Sequence, residues 1–333
     1  LDGSGRLERI SPENQPGTHS YDFSPDAKWA FHTFSTMDSP PRVELVELSG
    51  HRVVRVLEDN RKLRDKLKTV VSHPTEFFQL NIGNDVSMDA WMMKPRDFDR
   101  SKKYPVFIYV YGEPHAQTVL DEWGAAQSDF HRVVADLGYL VVSIDNRGTP
   151  APKGAAWRRA IFGSLGPLST EEQEAGLKEL GRMRPYVDLS RVGIWGWSGG
   201  GSMSLHALFR YPDLYRTAIA VAPNASQLLY DTIYQERYMG LPADNADGYR
   251  DGSPITHAAH LRGNLLLVHG TGDDNGHYQG TERLMNELIA HNRRFTVLPY
   301  PGRSHALNEG KNTERHFYTV LTDYLHEHLP PPH

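Results

Sequence analysis

The sequence predicts a doubly wound α/β domain on a mostly parallel sheet, preceded by a small antiparallel β unit. Three observations predict it. Apolar runs at 106–111, 140–144, 192–195, 217–221, 265–269 and 295–300 alternate with helical patterns near 129–137, 170–183, 202–209, 279–291 and 313–328. Such alternation is the pattern of a parallel sheet covered by helices. Residues 1–60 lack it and read as short strands only, and a glycine-rich turn at 196–201 joins one buried strand to the helix after it.

The N-terminal strands fall at 20–24, 29–35, 42–48 and 53–57, rich in β-branched and aromatic residues. Turns at Ser24-Pro25-Asp26, Ser39-Pro40-Pro41 and Ser49-Gly50 separate them. Four short strands in succession resemble one blade of a β-propeller. A lone blade cannot bury both faces, and no second copy occurs in the sequence. Residues 1–60 are therefore expected to be the tail of a longer propeller, the alternative being a small sheet packed on the main domain. Residues 61–72 open on a charged helical stretch and read as a linker, and the main domain is placed at 73–333. It opens with strand candidates at 76–81 and 88–94.

Composition narrows the function classes. A net charge of −5 gives no reason to expect nucleic acid or an anionic membrane as partner. No apolar run approaches the length of a bilayer span. The absence of cysteine excludes disulfides, a thiol nucleophile and cysteine-based metal sites. Beginning at Leu1, the sequence reads as a processed form with any targeting segment out of view.

The most informative segment is Gly193-Ile194-Trp195-Gly196-Trp197-Ser198-Gly199-Gly200-Gly201. It holds G-x-S-x-G between a buried strand and a helix, the context that makes Ser198 a candidate nucleophile on a strained turn and the domain an α/β-hydrolase fold. Gly196 and Gly200 leave room for strand and helix to pack, and the Gly199 N–H is a candidate oxyanion donor. Phosphate binding by the loop is disfavoured, because neither dinucleotide nor P-loop spacing is present. A serine hydroxyl needs a base, and in this fold acid and histidine follow it in that order. His269-Gly270-Thr271-Gly272-Asp273-Asp274-Asn275 places acids just past one buried strand, and His305 follows the last strand in Pro301-Gly302-Arg303-Ser304-His305. His269 and His277 flank the acid loop and are expected to be structural. His257-Ala258-Ala259-His260 lacks a third ligand, and neither metal nor organic cofactor is expected.

Four motifs in order carry a resemblance. The nucleophile segment, the run from Tyr230 to Gly240, the His269–Asn275 segment and Val110-Tyr111-Gly112-Glu113-Pro114-His115-Ala116-Gln117 resemble the prolyl oligopeptidase family, in its dipeptidyl-peptidase IV branch. The resemblance implies a serine peptidase releasing N-terminal dipeptides from a peptide substrate. It implies Asp273 as the acid of a triad with Ser198 and His305, and Tyr111 as an oxyanion donor beside Gly199. Asn275 is implied as a contact for a substrate carbonyl, and Tyr230 and Tyr234 as the lining of the pocket for the residue before the scissile bond. On spacing alone the two tyrosines read as packing residues on one helix face.

The same resemblance exposes departures. Gly199 stands where the branch has tyrosine, Asn224 where it has an aliphatic residue, Gln227 where it has an aromatic and Gly276 where it has valine. Asn224 and Gln227 are thus expected in a pocket of relaxed proline preference. Glu113 replaces a small residue, where a negative charge is tolerable only if it faces away. Paired glutamates that hold a substrate amine belong to a propeller portion outside this sequence, so weak exopeptidase selectivity is expected. Members of the family are often dimers, so a homodimer is implied without a residue pattern for its interface, and a periplasmic or secreted location is weakly implied. An acylaminoacyl peptidase, oligopeptidase or esterase, or a catalytically silent interaction module, are the competing readings.

Overall fold

The computed structural model describes residues 8–70 and 74–331. The end of the expected linker at 71–72 and the expected domain start at His73 lie outside the described residues. The chain forms two compact units, one of Leu1–Thr75 with Leu120–Asp129, the other of Glu76–Val119 with Phe130–His333.

The first unit is an antiparallel meander of β1 (Thr18–Phe23), β2 (Trp29–Thr36), β3 (Ser39–Glu47) and β4 (Arg52–Glu58). All four strands lie where the β-branched and aromatic runs predict them. The segment from Leu120 is tied to this sheet by polar bonds. Asp121 accepts from the Met37 N–H at 2.8 Å and, through its carbonyl, from the Thr18 hydroxyl at 2.9 Å. Every residue of β4 is exposed, including Val53, Val54, Val56 and Leu57. The charged stretch that follows forms α1 (Arg61–Leu67), which buries nothing.

The second unit is an eight-stranded mixed sheet. Its strands are β5 (Glu76–Asn81), β6 (Ser87–Met93), β7 (Tyr104–Tyr109), β8 (Leu140–Ile144), β9 (Val187–Trp197), β10 (Tyr215–Val221), β11 (Asn264–Gly270) and β12 (Thr296–Tyr300), in the spatial order 12-11-10-9-7-8-6-5. From β8 through β12 all pairings are parallel, while β6 pairs antiparallel with β5 and β8. This is the α/β-hydrolase architecture the sequence predicts. Strands β7 and β8 are buried on both faces, which is why they read as unbroken apolar runs.

The principal helices are α2 (Ser128–Asp136), α3 (Gly154–Arg159), α4 (Pro167–Met183), α5 (Gly199–Arg210), α6 (Thr232–Met239), α7 (Ala246–Asp251), α8 (Tyr278–Ala290) and α9 (Thr313–His328). On one face of the sheet, Leu177 of α4, Met203, Leu205 and Leu208 of α5 and Leu284 of α8 share a core with Val106, Ile108, Ile194 and Ala218. On the other, Phe130 of α2 meets Trp195 edge-on at 5.3 Å, and Phe317 of α9 lies 5.0 Å from Trp197. The sequence direction reverses between β7 and β9, since β8 lies on one side of β7 and β9 on the other. A crevice opens at the carboxyl ends of strands at such a switch point.

Candidate active site

Ser198 stands between β9 and α5 with φ 59° and ψ −120°, a backbone conformation that L-residues rarely adopt. The turn is held by the Ser198 N–H donating to the Val221 carbonyl at 2.9 Å. Glycines make it possible. A β-carbon on Gly200 would overlap the Val110 carbonyl, and one on Gly196 would strike the same oxygen and the Gly200 backbone. A β-carbon on Gly201 would lie 2.6 Å from the Val221 oxygen. Close approach of β7, β9 and α5 therefore fixes the three positions, and the strain at Ser198 is the outcome.

The acid and the imidazole come from the carboxyl ends of β11 and β12. Asp273 is fully buried, and its Oδ2 receives the His305 Nδ1 at 2.7 Å. Its Oδ1 accepts the N–H groups of Asn275 and Gly276, each at 2.9 Å. Burial pushes the Asp273 carboxyl up, but the bonds from His269, His305 and the backbone outweigh it and hold the group well below the usual carboxylate range. An ionised Asp273 keeps the proton of His305 on Nδ1 and leaves Nε2 as acceptor. The His305 carbonyl accepts the Trp197 indole N–H at 2.9 Å, which ties its loop to the residue before Ser198.

Tyr111 follows β7, two residues past the strand end, and lines the same cavity as Ser198. Burial, then the nearby Glu113 carboxyl, raises its pKa and keeps it a neutral donor. The Tyr111 loop is braced from below. Gly112 turns with φ 74°, its carbonyl accepts the Asn146 amide at 3.0 Å, and Gln173 in turn donates to Asn146 at 2.9 Å.

A cavity beside Ser198 is lined by Tyr111, Glu113, Asn224, Tyr230, Tyr234 and Gln235, with Gly199 and Gly276 at its wall. The Tyr230 hydroxyl donates to the Asn275 side chain at 2.8 Å, and its ring meets that of Tyr234 edge-on at 5.5 Å. Tyr230 lies ahead of α6 with extended backbone, so the two tyrosines do not share a helix face as their spacing suggests. Asn224 lines the cavity, whereas Gln227 is buried behind it, accepting from Asn224 at 3.1 Å and from Gln235 at 2.7 Å. Glu113 does not face away. Its carboxyl accepts from the Tyr234 hydroxyl at 3.0 Å, and burial pushes it up to about 7.

Two residues contribute more to the site than the sequence reading assigned them. His269 is buried within β11 and packs its Nε2 against Asp273 Oδ2 at 3.1 Å and the Gly276 carbonyl at 2.7 Å, with Nδ1 on the Thr281 hydroxyl at 2.7 Å. Its role is structural, as expected, but the structure it supports is the acid loop itself. Gln235 sits one position after Tyr234 inside a quoted motif, and only the fold reveals that it faces the cavity.

The profile of the prolyl oligopeptidase family matches residues 127–331, well over half of the chain. The chain belongs to this family. Among curated relatives, a probable dipeptidyl-aminopeptidase B of Emericella nidulans is 36% identical over 92% of this chain and 34% of its own length. Dipeptidyl peptidase 8 of Homo sapiens is 32% identical over 98% of this chain and 36% of its own length. Among solved structures, dipeptidyl peptidase 4 of Porphyromonas gingivalis superposes with a TM-score of 0.92 at 37% identity, covering 98% of this chain and 46% of that one. The chain spans about a third of the length of the curated relatives it matches. No described helix is long and apolar enough to cross a membrane.

Proposed function

We propose that this chain is the catalytic portion of a serine dipeptidyl peptidase, residues 1–60 forming the last blade of a propeller and residues 73–333 the hydrolase domain. Its nucleophile is Ser198, activated by His305 and Asp273. The observation that carries the reading is the 2.7 Å bond from His305 Nδ1 to a buried, ionised Asp273, at the same sheet end as the strained Ser198. His305 Nε2 takes the Ser198 proton as the oxygen attacks the carbonyl of the residue in the cavity, then returns it to the leaving amine. The Tyr111 hydroxyl and the Gly199 N–H receive the negative oxygen of the tetrahedral intermediate, where loss of one such donor costs about 3 kcal/mol. Water enters by the same route and frees the acyl group. Asn275, whose side chain accepts from the Tyr230 hydroxyl, contacts a substrate carbonyl in this reading. A homodimer is proposed from the habits of the family alone.

Hydrolysis of dipeptide p-nitroanilides tests the proposal. Turnover by this chain should fall at least a thousandfold in Ser198→Ala. Turnover that persists in the variant would overturn the assignment of the nucleophile. Cleavage of p-nitrophenyl butyrate without any anilide would favour an esterase instead.

A further inference from the structure

We propose that Glu113 sets the specificity of the cavity beside Ser198, which accepts a substrate side chain carrying a hydrogen-bond donor. This rests on the reading of Ser198 as nucleophile and says which residue precedes the bond it attacks.

The geometry begins with an exchange of space. A β-carbon built on Gly199 would lie 2.8 Å from Glu113 Oε2 and 2.9 Å from its Cδ. The carboxyl of Glu113 thus occupies the place that any side chain at position 199 would need. A wall that could have been an aromatic ring is an acid, in the cavity that Ser198 also lines.

The hydrogen-bond inventory then gives the polarity. Apart from Ser198 and the Tyr111 and Gly199 donors assigned to the oxyanion, donors around the cavity are engaged within the protein: the Tyr234 hydroxyl on Glu113, the Tyr230 hydroxyl on Asn275, and the amides of Asn224 and Gln235 on Gln227. Above about pH 7, where Glu113 is ionised, acceptors are what the cavity offers. Gln235 also lines the cavity, and its Oε1 is buried with no hydrogen-bond partner among the described residues. None of the lining residues is a lysine, arginine or histidine, so no cation of the wall compensates the acid. Buried acceptors of this kind are costly until a donor meets them. A hydroxyl, amide or ammonium on the substrate supplies that donor. A purely apolar side chain would leave the Glu113 carboxyl buried against hydrocarbon, and a site built of polar groups rejects the analogue lacking the matching one.

Acylation by paired isosteric esters tests this on the chain as it stands. N-acetyl-threonine and N-acetyl-valine p-nitrophenyl esters differ by one hydroxyl, and the asparagine and leucine esters by an amide. Each rate is corrected for the hydroxide-catalysed rate of the same ester. The donor-bearing member of each pair should acylate the enzyme about tenfold faster or more. Glu113→Leu should remove or reverse that ratio, and Glu113→Gln, which keeps an acceptor oxygen, should retain part of it. Equal rates for the pairs in the parent chain, or a ratio unchanged in Glu113→Leu, would overturn the inference while leaving the nucleophile in place. Absence of any acylation, together with no fluorophosphonate adduct on Ser198, would sink the peptidase reading and the inference with it.

Discussion

Asp273 and Glu113 are two buried carboxyls a short way apart with opposite fates. Asp273 receives hydrogen bonds from two imidazoles and two backbone N–H groups and stays ionised. Glu113 receives one from a phenol, and burial dominates, pushing it up to about 7 from an ordinary 4.5. Its raised value makes a stability prediction with a definite sign. Below about pH 4.5 the group is protonated in folded and unfolded chains alike and the fold bears no penalty. As pH rises from there to about 7 the unfolded chain ionises first, and stability falls by on the order of 3 kcal/mol. Glu113→Gln removes that loss. Its stability relative to the parent chain should grow between pH 4.5 and pH 7 and level off above, measured by urea unfolding at several pH values. A difference independent of pH would show that Glu113 is not held protonated by the fold. At this scale chain order and strand-end position singled out Ser198, His305 and a pair of adjacent acids, and the family resemblance chose Asp273, the carboxyl that His305 Nδ1 meets at 2.7 Å. The direction of Glu113 was not legible. It depends on the empty space at Gly199, which no property of residue 113 announces.

Among the elements, α5 shows how packing overrides propensity. The helical pattern is expected from 202, yet the helix begins at Gly199 and its first turn is three glycines. Glycine disfavours a helix by about 1 kcal/mol per residue relative to alanine. Here contact with Val110, Tyr111 and Val221 leaves no alternative. Gly200→Ala, which would help an isolated helix, should therefore destabilise this protein by several kcal/mol, because its β-carbon meets a backbone carbonyl that cannot swing aside. Urea or thermal unfolding checks it, and a neutral or stabilising result would mean that β7 and α5 are not packed as described. Strand β7 is a smaller discrepancy of the same origin. The apolar run reaches Tyr111, but the strand ends at Tyr109, because the chain must turn at Gly112 to bring the tyrosine hydroxyl towards Ser198. Apolar pattern marks burial, and Val110 is buried beyond the end of the strand, its N–H still bonded to the Trp195 carbonyl at 3.0 Å.

For the molecule as a whole, fold class was readable because β7 to β11 are buried strands separated by amphipathic helices, and nothing else produces that rhythm. The attachment of residues 120–129 to the N-terminal sheet was not readable. It rests on long-range polar bonds such as Asp121 to Met37, which leave no periodic trace in a sequence. The β4 edge makes the same point from the other side: Val53, Val54, Val56 and Leu57 stand exposed on a strand that itself lies where its pattern predicts. Family membership adds what neither pattern nor packing supplies, the chemistry of the relatives. It leaves to experiment whether the groups gathered at the carboxyl ends of β9, β11 and β12 act as one machine. The most direct measurement is peptide mapping by mass spectrometry after reaction with a fluorophosphonate. A single adduct on Ser198 is expected, forming at least a thousandfold more slowly in His305→Ala. No adduct on folded protein, an adduct on another residue, or labelling indifferent to His305 would contradict it.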